Sequence, residues 1–245
     1  MIESLTPILQ GPLAFAQDAL CLPDTCPEGE VLPCAALTRP GVLTGLLDRF
    51  AARHGGADRR AVVSMWMQYY AVRMVYPVLA ANLLLDRDLP LAPEDTLMLV
   101  GPDGSPRGFC LAHEGGPVAA GGLERFAPLL RGHFAPLVEA VVSEGRIAAR
   151  LAWSNVGVRF ASVAEMAEQQ GLLSTAARAD VEAVLERNCW PDGAPNPIGG
   201  VYGASCGEAA RRRRVCCLRY LLPDFSGCGC TCPLPAGRGE ALTRH

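Results

Sequence analysis

The sequence contains no lysine, so every basic side chain among its 245 residues, histidine aside, is an arginine. The formal net charge is -3 and the isoelectric point is about 5.8. A general nucleic-acid-binding protein normally carries a strongly basic face. The composition therefore argues against a nucleic-acid partner.

Long apolar runs are also absent. No segment approaches the roughly 20 uninterrupted apolar residues that a membrane span needs. The first 20 residues have no basic region, and Gln10, Pro12 and Gln17 interrupt their apolar run, unlike a secretory signal. We therefore expect a cytoplasmic protein with no membrane span.

A nucleotide or flavin fingerprint is missing as well. No Gly-x-Gly-x-x-Gly sequence follows a predicted strand. If the protein transfers electrons, another protein or a small reductant must supply them.

Cysteine, in contrast, is abundant, with 11 residues. A chain that is 50% hydrophobic can bury a sizeable core without disulfides. In a reducing compartment, clustered thiols are more typical of a metal site. Five of the cysteines lie in "RRRRVCCLRYLLPDFSGCGCTCPLP", residues 211–235.

Hydrophobic periodicity predicts several helices. One covers residues 42–53 and is capped by Gly55 and Gly56. A second, apolar on all sides, covers residues 62–85 with a bend near Pro77. Others are predicted around residues 129–142 and from an N-cap at Ser174 to about residue 187.

The remaining segments carry turn signals. Pro102, Asp103 and Gly104 separate two short apolar runs and predict a β-hairpin. We expect residues 1–40 to be an irregular lead-in and residues 191–207 to be an extended linker. The predicted class is α+β, a mainly helical body with a small β-hairpin or sheet and a C-terminal cysteine-rich module.

The spacing of the C-terminal cysteines favours a cluster with two irons. Cys216 and Cys217 are adjacent, so their side chains diverge, which makes a poor knuckle for a single zinc ion. Iron-sulfur clusters are held by four thiolates at varied spacings. A 2Fe-2S cluster, a zinc site, a redox dithiol and inert thiols all remain open on these grounds.

The cysteine pattern resembles the signature of the FhuF-type ferric-siderophore reductase family. That family ends in two adjacent cysteines, ten residues, and two cysteines separated by two. Similar stretches occur upstream in the family's order, namely "SMWMQYYAVRMVYPVLAANLLL" at residues 64–85, "LAWSNVGVRF" at residues 151–160 with Trp153 and Asn155, and "NPIGG". The resemblance covers about residues 59–235.

The resemblance implies a 2Fe-2S cluster held by Cys216, Cys217, Cys228 and a fourth cysteine. The family spacing would place that fourth ligand at Thr231, which cysteines flank on both sides. We favour Cys232 because it keeps the Cys-Pro ending and leaves a loop long enough to chelate. Cys230 is the alternative.

The resemblance also implies a division of the chain and a function. It divides into a lead-in and first helix (1–58), a reductase body (59–205), a cluster-binding module (206–236) and a tail (237–245). The implied activity is one-electron reduction of iron(III) in a siderophore, hydroxamate-type in our expectation, by a cytoplasmic oxidoreductase. A ferredoxin or a ferredoxin/flavin reductase would be the electron-donor partner. The alternatives are an iron or redox sensor without turnover and a binding protein with a structural zinc module.

Further residues have a functional and a structural interpretation. Candidate substrate-binding residues are Trp66, Tyr70, Trp153, Asn155, Arg212 and Arg213. A core position is the alternative for the tryptophans, and a solvated segment is the alternative for the arginines. His133 is expected at the edge of the core. The other thiols are interpreted as buried or inert: Cys21, Cys26, Cys34, Cys110, Cys189 and Cys206, the last of which the predicted linker could carry to the cluster.

Overall fold

A computed structural model describes residues 2–203, 211–223, 225 and 231–234. Five α-helices lie in these ranges together with short 3-10 turns and two small sheets. The predicted α+β class, with a mainly helical body, is confirmed.

The first two helices follow the predicted pattern. Helix α1, Val42–Ala52, buries its apolar face as expected. Helix α2, Arg59–Leu85, begins three residues earlier than predicted, because the Asp58 side chain accepts a hydrogen bond from the Arg60 N–H and caps the helix. It passes Pro77 without a break and is buried along almost its whole length.

The main sheet has four strands in the order β1-β5-β4-β2. They are β1 (Leu20–Cys21), β2 (Glu30–Pro33), β4 (Leu97–Val100) and β5 (Pro106–Cys110). Strands β4 and β5 form the predicted hairpin, whose turn is closed by a 2.8 Å hydrogen bond from Gly101 N–H to the Ser105 carbonyl. A second, two-stranded sheet pairs β3 (Arg87–Asp88) with β6 (Gly116–Pro117).

Three helices complete the body. A π-helical segment, Pro128–Phe134, continues directly into α3, Ala135–Gly145. Helix α4, Ala149–Gln169, packs along α2, and α5, Thr175–Glu186, has the predicted cap at Ser174. The sequence analysis assigned no element to residues 151–160, which form the middle of α4.

Residues 1–40 are more ordered than predicted. Strand β1 pairs with β5 in parallel, and β2 pairs with β4 in antiparallel orientation, so both edges of the main sheet come from this segment. Its side chains, Leu5 and Leu9 among them, lie in the same hydrophobic core as the helices. The expectation of an irregular lead-in is therefore wrong in this part of the chain.

The predicted linker is also packed as far as the structure describes it. Asn196 donates hydrogen bonds to the carbonyl oxygens of Val184 and Arg187 at the end of α5. Ile198 is fully buried. Gly157 of α4 lies beneath this segment, where a Cβ atom would meet side-chain atoms of Ile198 and Val201 at 3.1 Å.

No helix in the described ranges has both the length and the apolar character that crossing a bilayer requires.

Candidate functional site at the C-terminal cysteine segment

The adjacent cysteines lie against the start of α2. The Ser64 hydroxyl donates a 2.7 Å hydrogen bond to the backbone carbonyl of Cys217. Cys217 is 1% exposed, whereas Cys216 is half-buried. Helix α2 thus fixes the backbone of the cysteine pair.

Arg213 connects the same segment to α4. Its guanidinium donates to Asn155 Oδ1 at 2.7 Å and to Ser154 Oγ at 3.1 Å. Asn155 Nδ2 in turn donates to the carbonyl and the hydroxyl oxygens of Ser64. A continuous polar chain therefore runs from Arg213 through Asn155 and Ser64 to Cys217.

This chain of hydrogen bonds is buried. Arg213, Asn155 and Ser64 are at most 4% exposed. Burying a charged group costs free energy unless hydrogen bonds replace its hydration, and here the bonds to Ser154 and Asn155 replace part of it. The expectation that the arginine run is a solvated segment is wrong for Arg213, while Arg212 is exposed as expected.

Backbone hydrogen bonds bring three segments together beside α4. Arg213 N–H donates to the carbonyl of Thr231 at 2.9 Å, and Arg214 N–H donates to that of Val201 at 3.1 Å. Residues 231–234, which include Cys232, therefore lie beside the segment that carries Cys216. Cys206, Cys228 and Cys230 lie outside the described residues.

A tight backbone turn follows the cysteine pair. Leu218 has φ of 61°, in the left-handed region that a leucine rarely adopts. The turn directs its N–H onto Cys216 Sγ at 3.4 Å. Strained residues of this kind concentrate at functional sites.

The environment of Cys216 has opposing effects on its thiol. Burial raises the pKa of Cys216, the Leu218 N–H lowers it, the neighbouring thiols of Cys217 and Cys232 raise it, and the charge of Arg213 lowers it. The mutual influence of three thiols shows that Cys216, Cys217 and Cys232 share one electrostatic environment. Burial and the neighbouring thiols prevail, so the pKa of Cys216 lies above its ordinary value, and the Leu218 N–H and the charge of Arg213 only partly offset the rise.

These donors fit a group held by thiolates. Cys216, Cys217 and Cys232 supply soft sulfur donors from two segments that backbone hydrogen bonds hold side by side.

Two candidate substrate residues lie in the core instead of at this site. Trp66 is fully buried, and its indole N–H donates to the carbonyl of Gly104 at 2.9 Å. Tyr70 is also fully buried, and its hydroxyl lies 2.7 Å from His133 Nε2. Their burial supports the core interpretation and places His133 inside the core, not at its edge.

The other two upstream candidates lie on α4. Trp153 is partly buried against the core. Asn155 is the central member of the polar chain described above. Of the four upstream candidates, Asn155 is the one that the structure brings to the cysteine segment.

A cavity of about 770 Å³ lies between α4, α5 and residues 200–203. Arg211 and Arg214 from the cysteine segment form part of its wall. The helices contribute Glu165, Glu168, Glu182, Glu186 and Arg178. No expectation from the sequence pointed to this cavity, although glutamates spaced three or four residues apart along each helix were a detectable signal.

Comparisons with known proteins match a large part of the chain upstream of the cysteine segment. Residues 64–201 match a family described as "Ferric iron reductase FhuF-like transporter". A protein of Escherichia coli (strain K12) named "Ferric siderophore reductase" is 27% identical over 190 residues, which cover 71% of this chain and 66% of that protein. The chain thus spans slightly less than two thirds of the relative's length.

Solved structures show a similar fold. Aerobactin synthetase IucA from a hypervirulent pathotype of Klebsiella pneumoniae matches with a TM-score of 0.56 and 15% identity, over 71% of this chain and 38% of that one. Aerobactin synthetase IucC from the same source matches with a TM-score of 0.53 and 13% identity, over 71% and 36%. At these identities the likeness concerns the fold alone.

Proposed function

Because the chain belongs to the ferric iron reductase FhuF-like family, we propose that it reduces the iron(III) of a ferric siderophore by one electron and so releases iron(II). The observation that carries the proposal is the buried polar chain from Arg213 to Cys217. It attaches the cysteine pair to Ser64 of α2 and Asn155 of α4, two residues that lie within the matched family region.

Reduction releases the metal because the chelator distinguishes the two oxidation states. Iron(III) is a hard ion that siderophore oxygen donors hold tightly, and iron(II) is held far more weakly. Each tenfold preference for iron(III) lowers the potential of a one-electron couple by about 59 mV. The electron must therefore come from a low-potential source, or capture of iron(II) must pull the reaction.

We propose Cys216, Cys217, Cys228 and Cys232 as ligands of a 2Fe-2S cluster, with Cys230 as the alternative fourth ligand. When bound, such a cluster would supply single electrons at a potential set by its charge, hydrogen bonds and exposure. Arg213 places a buried positive charge near Cys216. The Leu218 N–H donates to one sulfur, and Ser64 holds the backbone of another.

The cavity beside α4 and α5 is our proposed siderophore site. Its volume of about 770 Å³ suits a ligand of several hundred daltons. Arg214, which lines it, precedes Cys216 by two residues, so a chelate bound there would lie beside the cysteine segment. A hydroxamate-type siderophore is the substrate that we propose.

The site also constrains the electron donor. Arg212 is exposed beside the cysteine segment and offers a positive charge to an acidic protein partner. A ferredoxin or a ferredoxin/flavin reductase would meet this requirement. We propose that the reaction takes place in the cytoplasm, where such donors are available.

A metal analysis tests the proposed group. Protein purified anaerobically should contain about two irons and two sulfides per chain. Cys216→Ser or Cys228→Ser should prevent normal assembly, while Cys189→Ser, an exposed thiol, should not. Loss of colour in Cys230→Ser but not in Cys232→Ser would reverse our choice of fourth ligand. Colourless protein with zinc that Cys216→Ser removes would favour the zinc-module alternative.

A turnover experiment tests the activity. Chemically reduced protein mixed anaerobically with a ferric hydroxamate siderophore should be reoxidised at a rate that rises with siderophore concentration, while a ferrous chelator accumulates iron(II). The chelator removes iron(II) as it forms and so pulls the electron transfer forward. Reduced protein that keeps its spectrum in the presence of several ferric siderophores would instead be a sensor.

A further inference from the structure

Three cysteines far from the C-terminal segment in sequence lie together at the edge of the main sheet. The Sγ atoms of Cys21, Cys26 and Cys110 all lie within 4.8 Å of one another. From the sequence, each was expected to be a buried or inert thiol. From this arrangement we propose a second metal site, in which the three thiolates bind a zinc(II) ion.

Strand pairing brings two of the sulfurs together. Cys21 ends β1, Cys110 ends β5, and the two are partners in the register of the parallel pair. Partners in adjacent strands present their side chains on the same face of a sheet. A backbone hydrogen bond from Leu111 N–H to the Cys21 carbonyl at 3.0 Å holds this register.

A short turn brings the sulfur of Cys26 close to the other two. The sequence "CLPDTC" forms a 3-10 turn at Pro23–Thr25, closed by a 3.0 Å hydrogen bond from Thr25 N–H to the Leu22 carbonyl. The Thr25 hydroxyl also accepts from Leu22 N–H at 3.2 Å. The turn reverses the chain after Cys21, so Cys26 comes back over the Cys21–Cys110 pair.

The separation of the sulfurs suits one ion. With a zinc–sulfur distance of about 2.3 Å, ligands around a tetrahedral ion are roughly 3.8 Å apart. An adjustment of about 1 Å or less within the 4.8 Å limit therefore brings all three sulfurs into contact with the metal. A disulfide would use two of the sulfurs and leave the third without a role.

Burial and charge favour zinc among thiophilic ions. Cys21 and Cys110 are each 3% exposed, so net charge at this place is costly. Three thiolates leave a net charge of minus one around zinc(II) but minus two around copper(I). Cys26 is partly exposed, which leaves the fourth tetrahedral position open to water or another external ligand.

The site has a physical role in the fold. Strand β1 has two residues, too few to hold the edge of a sheet through its own hydrogen bonds. A bound ion would join β1, the following turn and β5 by three bonds. It would stabilise the N-terminal segment independently of the C-terminal cysteines, so the inference does not rest on the proposed reductase function.

Cobalt(II) titration tests the site in full-length protein. The starting protein for the titration is the double variant Cys216→Ser, Cys217→Ser, which lacks two proposed ligands of the C-terminal group. We call it the background variant. This background should bind about one cobalt per chain with thiolate charge-transfer absorption, and zinc(II) should displace it. Adding Cys26→Ser should weaken cobalt binding at least tenfold, whereas adding Cys189→Ser should not change it.

A second measurement does not require the double cysteine variant to fold. Unaltered protein from cells grown with zinc should contain zinc by elemental analysis. The single variant Cys26→Ser, prepared in the same way, should lack this zinc but have the same iron content. Equal cobalt affinity with and without Cys26, or no thiolate absorption in the background variant, would overturn the proposal. So would a disulfide between Cys26 and Cys21 or Cys110 in protein isolated under reducing, metal-replete conditions.

Discussion

At the scale of single residues, two neighbouring arginines of the run at residues 211–214 have opposite environments. Arg212 is exposed, and Arg213 is buried with its guanidinium on Asn155 and Ser154. The difference arises because one side chain in an extended segment faces α4 while the next faces solvent. Only the buried one can support the cysteine pair.

We expect Arg213→Met to lower the free energy of unfolding by about 2–3 kcal/mol. The substitution removes hydrogen bonds from a charged donor and takes that donor away from Asn155 Oδ1. The iron content of purified protein should fall as well. Arg212→Met is the matched control and should be close to neutral in urea unfolding. Equal behaviour of the two variants would contradict the buried role.

His133 should make stability depend on pH. Its Nδ1 lies 2.7 Å from the Leu91 carbonyl, which only accepts, so Nδ1 carries the proton and Nε2 accepts from the Tyr70 hydroxyl. Burial lowers the pKa of His133 from 6.5 to about 4, although the hydrogen bond to Leu91 raises it. The unfolded chain therefore binds a proton that the folded chain excludes between these pH values.

Stability contributed by neutral His133 is present above pH 6.5 and is lost as pH falls towards 4. Between pH 7 and pH 4.5 the loss should be about 2–3 kcal/mol. Urea unfolding of His133→Gln should show a pH dependence that is smaller by this amount, while His113→Gln, at an exposed position, should match the parent. If the free energy of unfolding of His133→Gln depends on pH as steeply as that of the parent, the imidazole of His133 can be protonated in the folded protein.

At the scale of elements, the contact between α4 and the segment after α5 places the cysteine region. Ile198 and Val201 rest on Gly157 of α4, and Val201 accepts the backbone hydrogen bond from Arg214. The spacing between this segment and α4 therefore influences the position of the residues that precede Cys216.

Two helical glycines should respond in opposite ways to alanine. Gly45→Ala in α1 meets no atom within 4 Å and should stabilise the protein by up to about 1 kcal/mol through helix propensity. Gly157→Ala in α4 gains the same propensity but pushes Ile198 and Val201 away, so its net effect should be destabilising. Chemical denaturation of both variants checks this, and equal stabilisation would mean that the segment yields without cost.

At the scale of the whole molecule, the exposed positive charges beside the cysteines would guide an acidic donor. Long-range steering depends on ionic strength, with a Debye length of about 8 Å at physiological salt. Since the chain is acidic overall, a local basic patch is needed to attract such a partner.

Arg212→Glu should slow reduction by an acidic ferredoxin-type donor several-fold at low salt and flatten the salt dependence of that rate. Stopped-flow measurement of the reduction of the proposed cluster checks the prediction. Arg39→Glu, also at an exposed position but outside the C-terminal segment, and reduction by a small neutral donor serve as controls. If Arg39→Glu has the same effect as Arg212→Glu, net charge alone accounts for the rate and the patch has no special role.

Local patterns in the sequence determined much of the fold. Periodic apolar residues predicted α1, α2 and the segment that includes α3, and Ser174 predicted the start of α5. The turn at residues 102–104 predicted the hairpin. These features depend on neighbours within a few residues, so periodicity and turn chemistry are sufficient to find them.

The tertiary structure alone decided which distant residues meet. Strand pairing places Cys21 beside Cys110, which is 89 positions away in the sequence, and no local pattern encodes that partnership. The burial of Arg213 likewise depends on Asn155, far upstream on α4. Sequence periodicity specifies which face of an element is apolar, whereas the packing of elements decides which side chains share that interior. The sequence therefore determined α1, α2, the start of α5, the hairpin and the family resemblance, whereas the fold determined the three-sulfur group, the buried polar chain and the cavity.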